Sequence, residues 1–444
     1  MKRFTFPLNS VTLLLLSILA VIASVHLLPF PAIVSYAGTK ILSSVLFFIA
    51  AVLLLRTPLA SSTVRTAIVL FALLRLSFIG THPIGSDDIY RYLWDGRVQS
   101  AGIDPYLYAP DDHQLDGLHT TDLPQKVNQP QMPTLYFPLS EWIFLVAYHL
   151  SGTSFLGYKV LLFIADILLA FVLLGLLRRM NKEPGFVLLF FACPLMIYEY
   201  SIDAHVDLFG LLFLAFFLLF HLDRKTILAL FFLGCSISVK PAALAVLPVL
   251  LFHHRPWKER FLTIFIPLAV VAVQFFPYIG DGDIFVSLRT FARHWTFNGF
   301  FFHLFDLYFR DNLPSRLAST GLMMVLLGVI LRREDSLTGR MYNAMLVLML
   351  CSPIVHPWYI GWAALFVPLV QRLSGLYYIS AAGLTVLTPL TYQLTGVWVD
   401  YWPVLLIEYL PVLYFLQAEW RGVTAWPFAQ TAIISPDEQH LLRH

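Results

Sequence analysis

The chain has 444 residues, of which 58% are hydrophobic and 13% charged, with a mean hydropathy of +0.74. Soluble domains carry about 25% charged residues, and a water-facing surface built from so few would expose large apolar patches; the composition excludes an ordinary soluble domain and points to lipid as the solvent. The formal net charge of +2 gives no electrostatic sign of a nucleic-acid partner.

Lys2 and Arg3 precede the apolar run Val11–Leu28, a signal-peptide-like start without a small-x-small cleavage site, which reads as a retained signal anchor. A bilayer-spanning helix needs about 20 apolar residues. Such runs fall at roughly 10–29, 39–56, 65–80, 157–177, 186–202, 206–222, 261–278, 315–332, 340–355, 358–372, 375–392 and 402–417. The run 227–252 is interrupted by Lys240 and Pro241, and proline cannot extend a helix cleanly, so it reads as two shorter helices meeting at Lys240. The expected fold is all-α, a polytopic transmembrane bundle of about 12–14 segments. Cys193, Cys235 and Cys351 lie in apolar runs and read as buried small apolar residues, and no metal-ligand spacing is recognisable.

Cytoplasmic connections carry an excess of Lys and Arg. With the N-terminus inside, Arg56, Arg65, Arg178, Arg179, Lys182, Arg224, Lys225, Arg255, Lys258, Arg260, Arg332, Arg333, Arg340 and Arg372 all fall inside, provided that 139–150 lies along the surface. Two long polar stretches then face outward, His82–Pro138 and Gly280–Pro314, and loops of that length usually carry function.

In the first stretch Ser86 or Asp87 can cap a helix that starts near Asp88. Ile89, Tyr92, Leu93 and Gly96 share one face, while Asp88, Arg91 and Asp95 share another, as in an amphipathic surface helix. Asp87 and Asp88 sit at the positive helix end, which favours both in the ionised form. An ionised carboxylate aimed at a hydroxyl serves as a general base; the alternative is a cap followed by a surface ion-pair ladder. Beyond the turn Gly102-Ile103-Asp104-Pro105-Tyr106 the segment is rich in proline and forms an ordered lid only if packed, with Tyr106, Tyr108, Tyr136 and Phe137 available to pack or to stack on a sugar. Asp111, Asp112 and His113 read as a solvated turn.

Charged groups at membrane depth need a reason. Asp166 reads as an interhelical partner of Arg75. Glu199, Asp203, His205 and Asp207 cluster at one outer connection, and Lys240 suits either an anionic lipid phosphate or a bridge to Asp203 or Asp207. Arg289, Arg293, His294 and Trp295 mark the second outer stretch, and His356-Pro357-Trp358-Tyr359 opens a late span. Carboxylates, cations and aromatics thus converge on one side.

These motifs, in this order, resemble the GT-C glycosyltransferases, polytopic enzymes that use polyprenyl-phosphate sugars. Asp87-Asp88-Ile89-Tyr90-Arg91-Tyr92 with Gly102-Ile103-Asp104-Pro105-Tyr106 is similar to the acidic first-loop motif of the bacterial polyprenol-phosphomannose-dependent and GPI-anchor types of mannosyltransferase. Tyr136-Phe137-Pro138-Leu139, Cys193-Pro194-Leu195, His205-Val206-Asp207, Val239-Lys240-Pro241 and His356-Pro357-Trp358-Tyr359 resemble later family elements, with Cys193, Ala204 and Val206 standing where the family has Asn, Gly and Asn.

The resemblance implies transfer of a hexose, mannose favoured, from a polyprenyl-phosphate donor to a lipid, glycan or protein hydroxyl, inverting at the anomeric carbon. Asp87 or Asp88 is then the base, Asp87 favoured by its position after the glycine-serine turn; the resemblance also implies no metal and no cofactor, with the paired aspartates the one place left open for a metal. Tyr90, Arg91, Asp95, Tyr106, Tyr136, His205, Asp207, Trp358 and Tyr359 are expected around the substrates, and Lys240, Arg293 and His356 near the donor phosphate. It also implies a multi-pass protein of a bacterial inner membrane with its site facing the exterior. The organisation expected is a transmembrane hairpin over 1–64, a GT-C-like catalytic module over 65–280 with an outer loop at 81–156, a transmembrane bundle over 281–417 with an outer loop at 280–314, and a cytoplasmic tail over 418–444. The competing readings are a transporter of lipid-linked sugars and a non-catalytic membrane scaffold.

Overall fold

The structure is a computed structural model that describes residues 10–26, 32–120, 122–254, 256–280, 282–334 and 336–422. Lys2, Arg3, Arg255 and the tail beyond 422 lie outside the described residues.

Among the described residues the chain is helical, with isolated bridges from Phe297 and Asn298 to Ile354 in place of any strand. The helices are α1 (Ser10–His26), α2 (Ala32–Leu54), α3 (Ser61–Ser77), α4 (Asp88–Ser100), α5 (Pro138–Ser151), α6 (Leu156–Arg179) and α7 (Leu188–Phe191). There follow α8 (Pro194–Met196), continued by a π-helical turn to Ile202, then α9 (Asp207–Leu222), α10 (Thr226–Val239), α11 (Val246–His253), α12 (Trp257–Phe275), α13 (Val286–His294) and α14 (Phe300–Phe309). The last are α15 (Asn312–Arg333), α16 (Leu337–Cys351), α17 (Gly361–Ala364), α18 (Val367–Val370), α19 (Leu373–Ala381), α20 (Leu387–Thr395) and α21 (Trp402–Trp420).

Among the described residues five helical runs are long and apolar enough to cross a membrane: Ala32–Leu54, Leu156–Arg179, Trp257–Tyr278, Asn312–Arg333 and Leu373–Thr395. The apolar pair Pro184–Phe191 and Pro194–Ile202 bends by 54° across Ala192 and Cys193, and seven shorter apolar helices complete the described set. Lipid explains what water cannot: Phe171, Val273 and Val325 expose 62–71% of their surface along these helices. The chain is an all-α polytopic membrane protein. All three cysteines are buried and unpaired.

Local chemistry sets the breaks. Lys240 is extended, at φ −152° and ψ 131°, and Pro241 opens the next helical run, so 227–252 divides there. Asp311 and Ser336 cap α15 and α16 by accepting from the amides of Leu313 and Gly339. At membrane depth Arg75 of α3 is paired with Asp166 of α6, and its guanidinium lies 4.0 Å from the Phe191 ring.

The basic connections gather at one end of the bundle. Arg179 donates to Asp223 at 2.6 Å, Lys182 to Gln371 at 2.9 Å, and Arg372 pairs with Glu334. The start of α4, the end of α10 and the segment before α17 lie at the other ends of the helices they join.

There α4 packs on α5 through Gly96, where a Cβ would overlap the Phe144 carbonyl oxygen. The proline-rich segment after α4 does fold back over it. Leu93, Trp94, Val98, Leu115, Leu123 and Val127 form a separate apolar cluster, and the Arg91 guanidinium donates to the carbonyls of Asn128, Gln129 and Met132 at 2.9–3.1 Å. This corrects the picture of α4 as a surface helix with a solvated charged face: Arg91 is 5% and Asp95 2% exposed, because the loop supplies a second covering layer. Asp112 caps its own turn by accepting from the Gln114 amide, as a solvated turn requires.

Candidate active site

A cavity of about 1560 Å³ opens among the ends of α4, α10, α13, α15, α16 and α20. Asp87 and Asp88 lie on its wall, held by Asn128, whose side-chain amide donates to Asp87 Oδ1 at 3.0 Å and Asp88 Oδ1 at 2.7 Å. The Asp88 amide donates to Ser86 Oγ at 3.3 Å.

The turn that carries the pair is fixed from distant parts of the chain. Asp203 accepts from the amides of Ile84 and Gly85 at 2.8 and 2.9 Å and from the Tyr36 hydroxyl of α2. Gly85 allows this approach, since a Cβ there would stand 2.6 Å from Asp203 Oδ2. Lys159 of α6 donates to the carbonyls of Thr81 and Ile202 at 2.5 and 2.8 Å, joining the same two segments.

Across the cavity, Lys240 Nζ donates to Asp207 Oδ2 at 2.8 Å and stands 3.8 Å from the centroid of the Tyr359 ring. The other oxygen of Asp207 accepts from Trp362 Nε1 at 2.8 Å. His356 stacks between Phe297 and Trp358 at 4.8 and 4.3 Å. Carboxylates, a lysine and aromatic faces therefore meet in one recess.

Residues 7–254 match the family model described as alpha-(1->6)-mannopyranosyltransferase, N-terminal domain. The chain belongs to this MptA_B family. It is a glycosyltransferase of the GT-C type. Neither a curated protein nor a solved structure matches it. The matched segment holds Asp87, Asp88, His205, Asp207 and Lys240, whereas His356, Trp358 and Tyr359 lie beyond it.

In this MptA_B-family transferase the residues singled out from sequence divide into three groups. Asp87, Asp88, Tyr90, Arg91, Tyr136, Lys240, His356, Trp358 and Tyr359 line the cavity. His205 and Asp207 are buried just behind that wall. Asp95, Tyr106 and Arg293 do not line it: Asp95 lies 3.9 Å from Arg91 inside the α4 packing, the Tyr106 hydroxyl donates to the Tyr136 carbonyl at 2.7 Å, and Arg293 is exposed on α13. His294 and Arg316 occupy the wall beside Arg293 instead.

The expectation of full ionisation at neutral pH needs correction for Asp88. Withdrawal from bulk water, and then the Asp87 carboxylate, push the Asp88 carboxyl up to about 7, against the Asn128 hydrogen bond. Desolvation raises Asp87 as well. A helix N-terminus does not offset desolvation of two carboxylates side by side.

Tyr36, Lys40, Asn128 and Arg316 also line the cavity and were not evident from sequence. Lys40 carried a signal, a lysine inside an apolar run; it pairs with Glu199 at 2.5 Å. Asn128 carried none. Among the described residues no group of three or more His, Cys, Asp or Glu is arranged to hold a metal ion.

Proposed function

We propose that this transferase moves a mannosyl residue from a polyprenyl-phosphate donor to an acceptor hydroxyl on the extracytoplasmic face, with inversion at the anomeric carbon. One observation carries the reading: the aspartate pair and Lys240 share a cavity whose other arm is apolar, walled by Leu244, Pro248, Met323, Met324 and Leu327 of the α11 and α15 regions. Met324 is 62% exposed, so this arm borders the lipid-facing surface, which suits a long hydrocarbon chain entering from the bilayer. The gathering of basic connections at the far end of the bundle supports an outward-facing cavity.

The chemistry follows from the placement. Asp88, or the Asp87–Asp88 pair acting as a unit, takes the proton of the acceptor hydroxyl. The hydroxyl oxygen attacks the anomeric carbon, and the phosphate leaves from the opposite face with the bonding electrons. Negative charge grows on that phosphate, and Lys240, with His356 beside it, stands where it would be stabilised.

The test is donor turnover by the transferase in lipid nanodiscs, read as release of polyprenyl phosphate from a panel of polyprenyl-phosphate sugars. A general base contributes about 10²- to 10⁴-fold, so Asp88→Asn should lose that much while Arg97→Ala stays near the parent rate. Turnover of no donor, or full activity in both Asp87→Asn and Asp88→Asn, sinks the reading.

A further inference from the structure

His205 stands behind the acidic pair, fully buried in the connection that leads into α9. Its Nδ1 lies 2.9 Å from the Glu199 carbonyl oxygen, which can only accept, so Nδ1 carries the ring proton and Nε2 presents a bare lone pair. That Nε2 is buried and has no hydrogen-bond partner among the described residues. It faces Asp88 Oδ2 at 3.8 Å. The plane of the ring is set by stacking on Trp358, with centroids 3.7 Å apart, and Trp358 in turn stacks on His356.

The two oxygens of Asp88 are therefore distinct. Asn128 donates to Oδ1, which leaves Oδ2 as the one that looks toward His205. We infer that His205 is a positioning residue for Asp88, its bare Nε2 accepting a hydrogen bond from the protonated Asp88 carboxyl, the form created when Asp88 takes the acceptor's proton. The inference rests on the glycosyl-transfer reading above. In that step the acceptor O–H bond breaks and the proton passes to Asp88 Oδ2. The hydroxyl oxygen bonds to the anomeric carbon, and the bond to the donor phosphate breaks with its electron pair on the phosphate. A side-chain movement of about 1 Å closes 3.8 Å to hydrogen-bond distance, as catalytic contacts tighten in a substrate complex.

An acceptor for the neutral carboxyl makes Asp88 a stronger base, and it keeps Oδ2 fixed while the proton arrives. The charged and titratable groups around Asp88 are Asp87 on its own segment, Asp207 of α9 and Lys240 at the end of α10, with the phenols of Tyr92, Tyr136, Tyr158 and Tyr359. Around His205 stand Glu199, Lys40, Lys240 and His356. Burial holds the imidazole neutral, so it acts as an acceptor and not as a second charge.

The experiment titrates Asp88 in the full-length protein without substrate, through the infrared carbonyl band of its protonated form, assigned by its loss in Asp88→Asn. His205→Phe keeps the ring stack and removes the acceptor, and its midpoint should fall by about one pH unit. His205→Gln offers an amide oxygen and should recover part of the shift. An unchanged or raised midpoint in His205→Phe, or identical midpoints in the two variants, overturns the proposal. Should His205→Phe not fold, nitrogen NMR of the parent protein decides: Nε2 must be unprotonated at neutral pH, and a proton found there overturns it equally. None of these readouts needs turnover, so failure of the glycosyl-transfer assay and failure of this inference are separate results.

Discussion

In the proposed mechanism Asp88 owes its reactivity to its surroundings more than to its type. With its carboxyl pushed up to about 7 by desolvation and by Asp87, the reactive carboxylate is the minor form in mildly acid solution. The kcat/KM of the free enzyme should rise with pH, about tenfold per unit below the midpoint, and level off above about 7; a rate independent of pH from 5 to 8 would remove Asp88 as the base. The stability consequence has the opposite slope. A carboxyl whose folded value lies above its unfolded one holds more protons when folded. Its contribution is thus complete below about 4 and is lost as pH rises through about 7. Asp88→Asn should flatten that part of the thermal-stability profile.

A second residue-level case lies at membrane depth. Arg75 and Asp166 were legible as partners because each stands as a charge in an apolar run, and their pairing is what the fold contains. Removing one member leaves a buried charge unpaired, which costs about 3–5 kcal/mol. Asp166→Ala should lower the melting temperature sharply, whereas the double change Arg75→Met with Asp166→Leu should recover most of it. Equal losses in the single and double variants would show that the pair matters for shape and not for charge.

Among the elements, α4 and its covering loop decide where the aspartates sit. The helix boundary near Asp88 follows from the sequence, and so does the break at Lys240 and Pro241, since caps and prolines act locally. The depth of α4 does not. Its polar stripe reads as a solvated face until a loop of six prolines between 105 and 138 folds over it and Arg91 satisfies three carbonyls there. The close approach to α5 runs through Gly96, so Gly96→Val should separate α4 from α5, lower thermal stability by more than 1 kcal/mol on the scale typical of overpacking, and reduce turnover with it. A stable, active Gly96→Val protein would mean that α4 can shift without moving Asp88. The connection after α8 is the other deciding element: Asp203 and Gly85 pin the acidic turn from behind, a pairing across 118 positions that no local pattern announces.

At the scale of the whole molecule, the cavity brings together side chains from Tyr36 to Trp398. The arm toward lipid between the α11 and α15 regions ends at the exposed Met324. Met324→Trp should narrow it, raising KM for a long-chain polyprenyl-phosphate donor while leaving a short-chain analogue nearly unaffected; an equal effect on both would place the lipid chain elsewhere. One cluster of buried apolar side chains runs from Leu13 to Leu416, so the recess is held by the bundle as a whole.

What the sequence determined by itself is local and one-dimensional. Hydropathy runs give the membrane helices, prolines give their breaks, and the crowding of Asp, His, Lys and Trp motifs into a few connections marks the end of the bundle that matters. Packing alone decided that Lys40 and Tyr36 of α2 reach this end, that Arg293, Asp95 and Tyr106 leave the cavity wall, and that His205 stands behind Asp88. The physical reason is that burial and side-chain convergence depend on which helices touch and at what rotation, and residues more than a hundred positions apart carry no local trace of that choice.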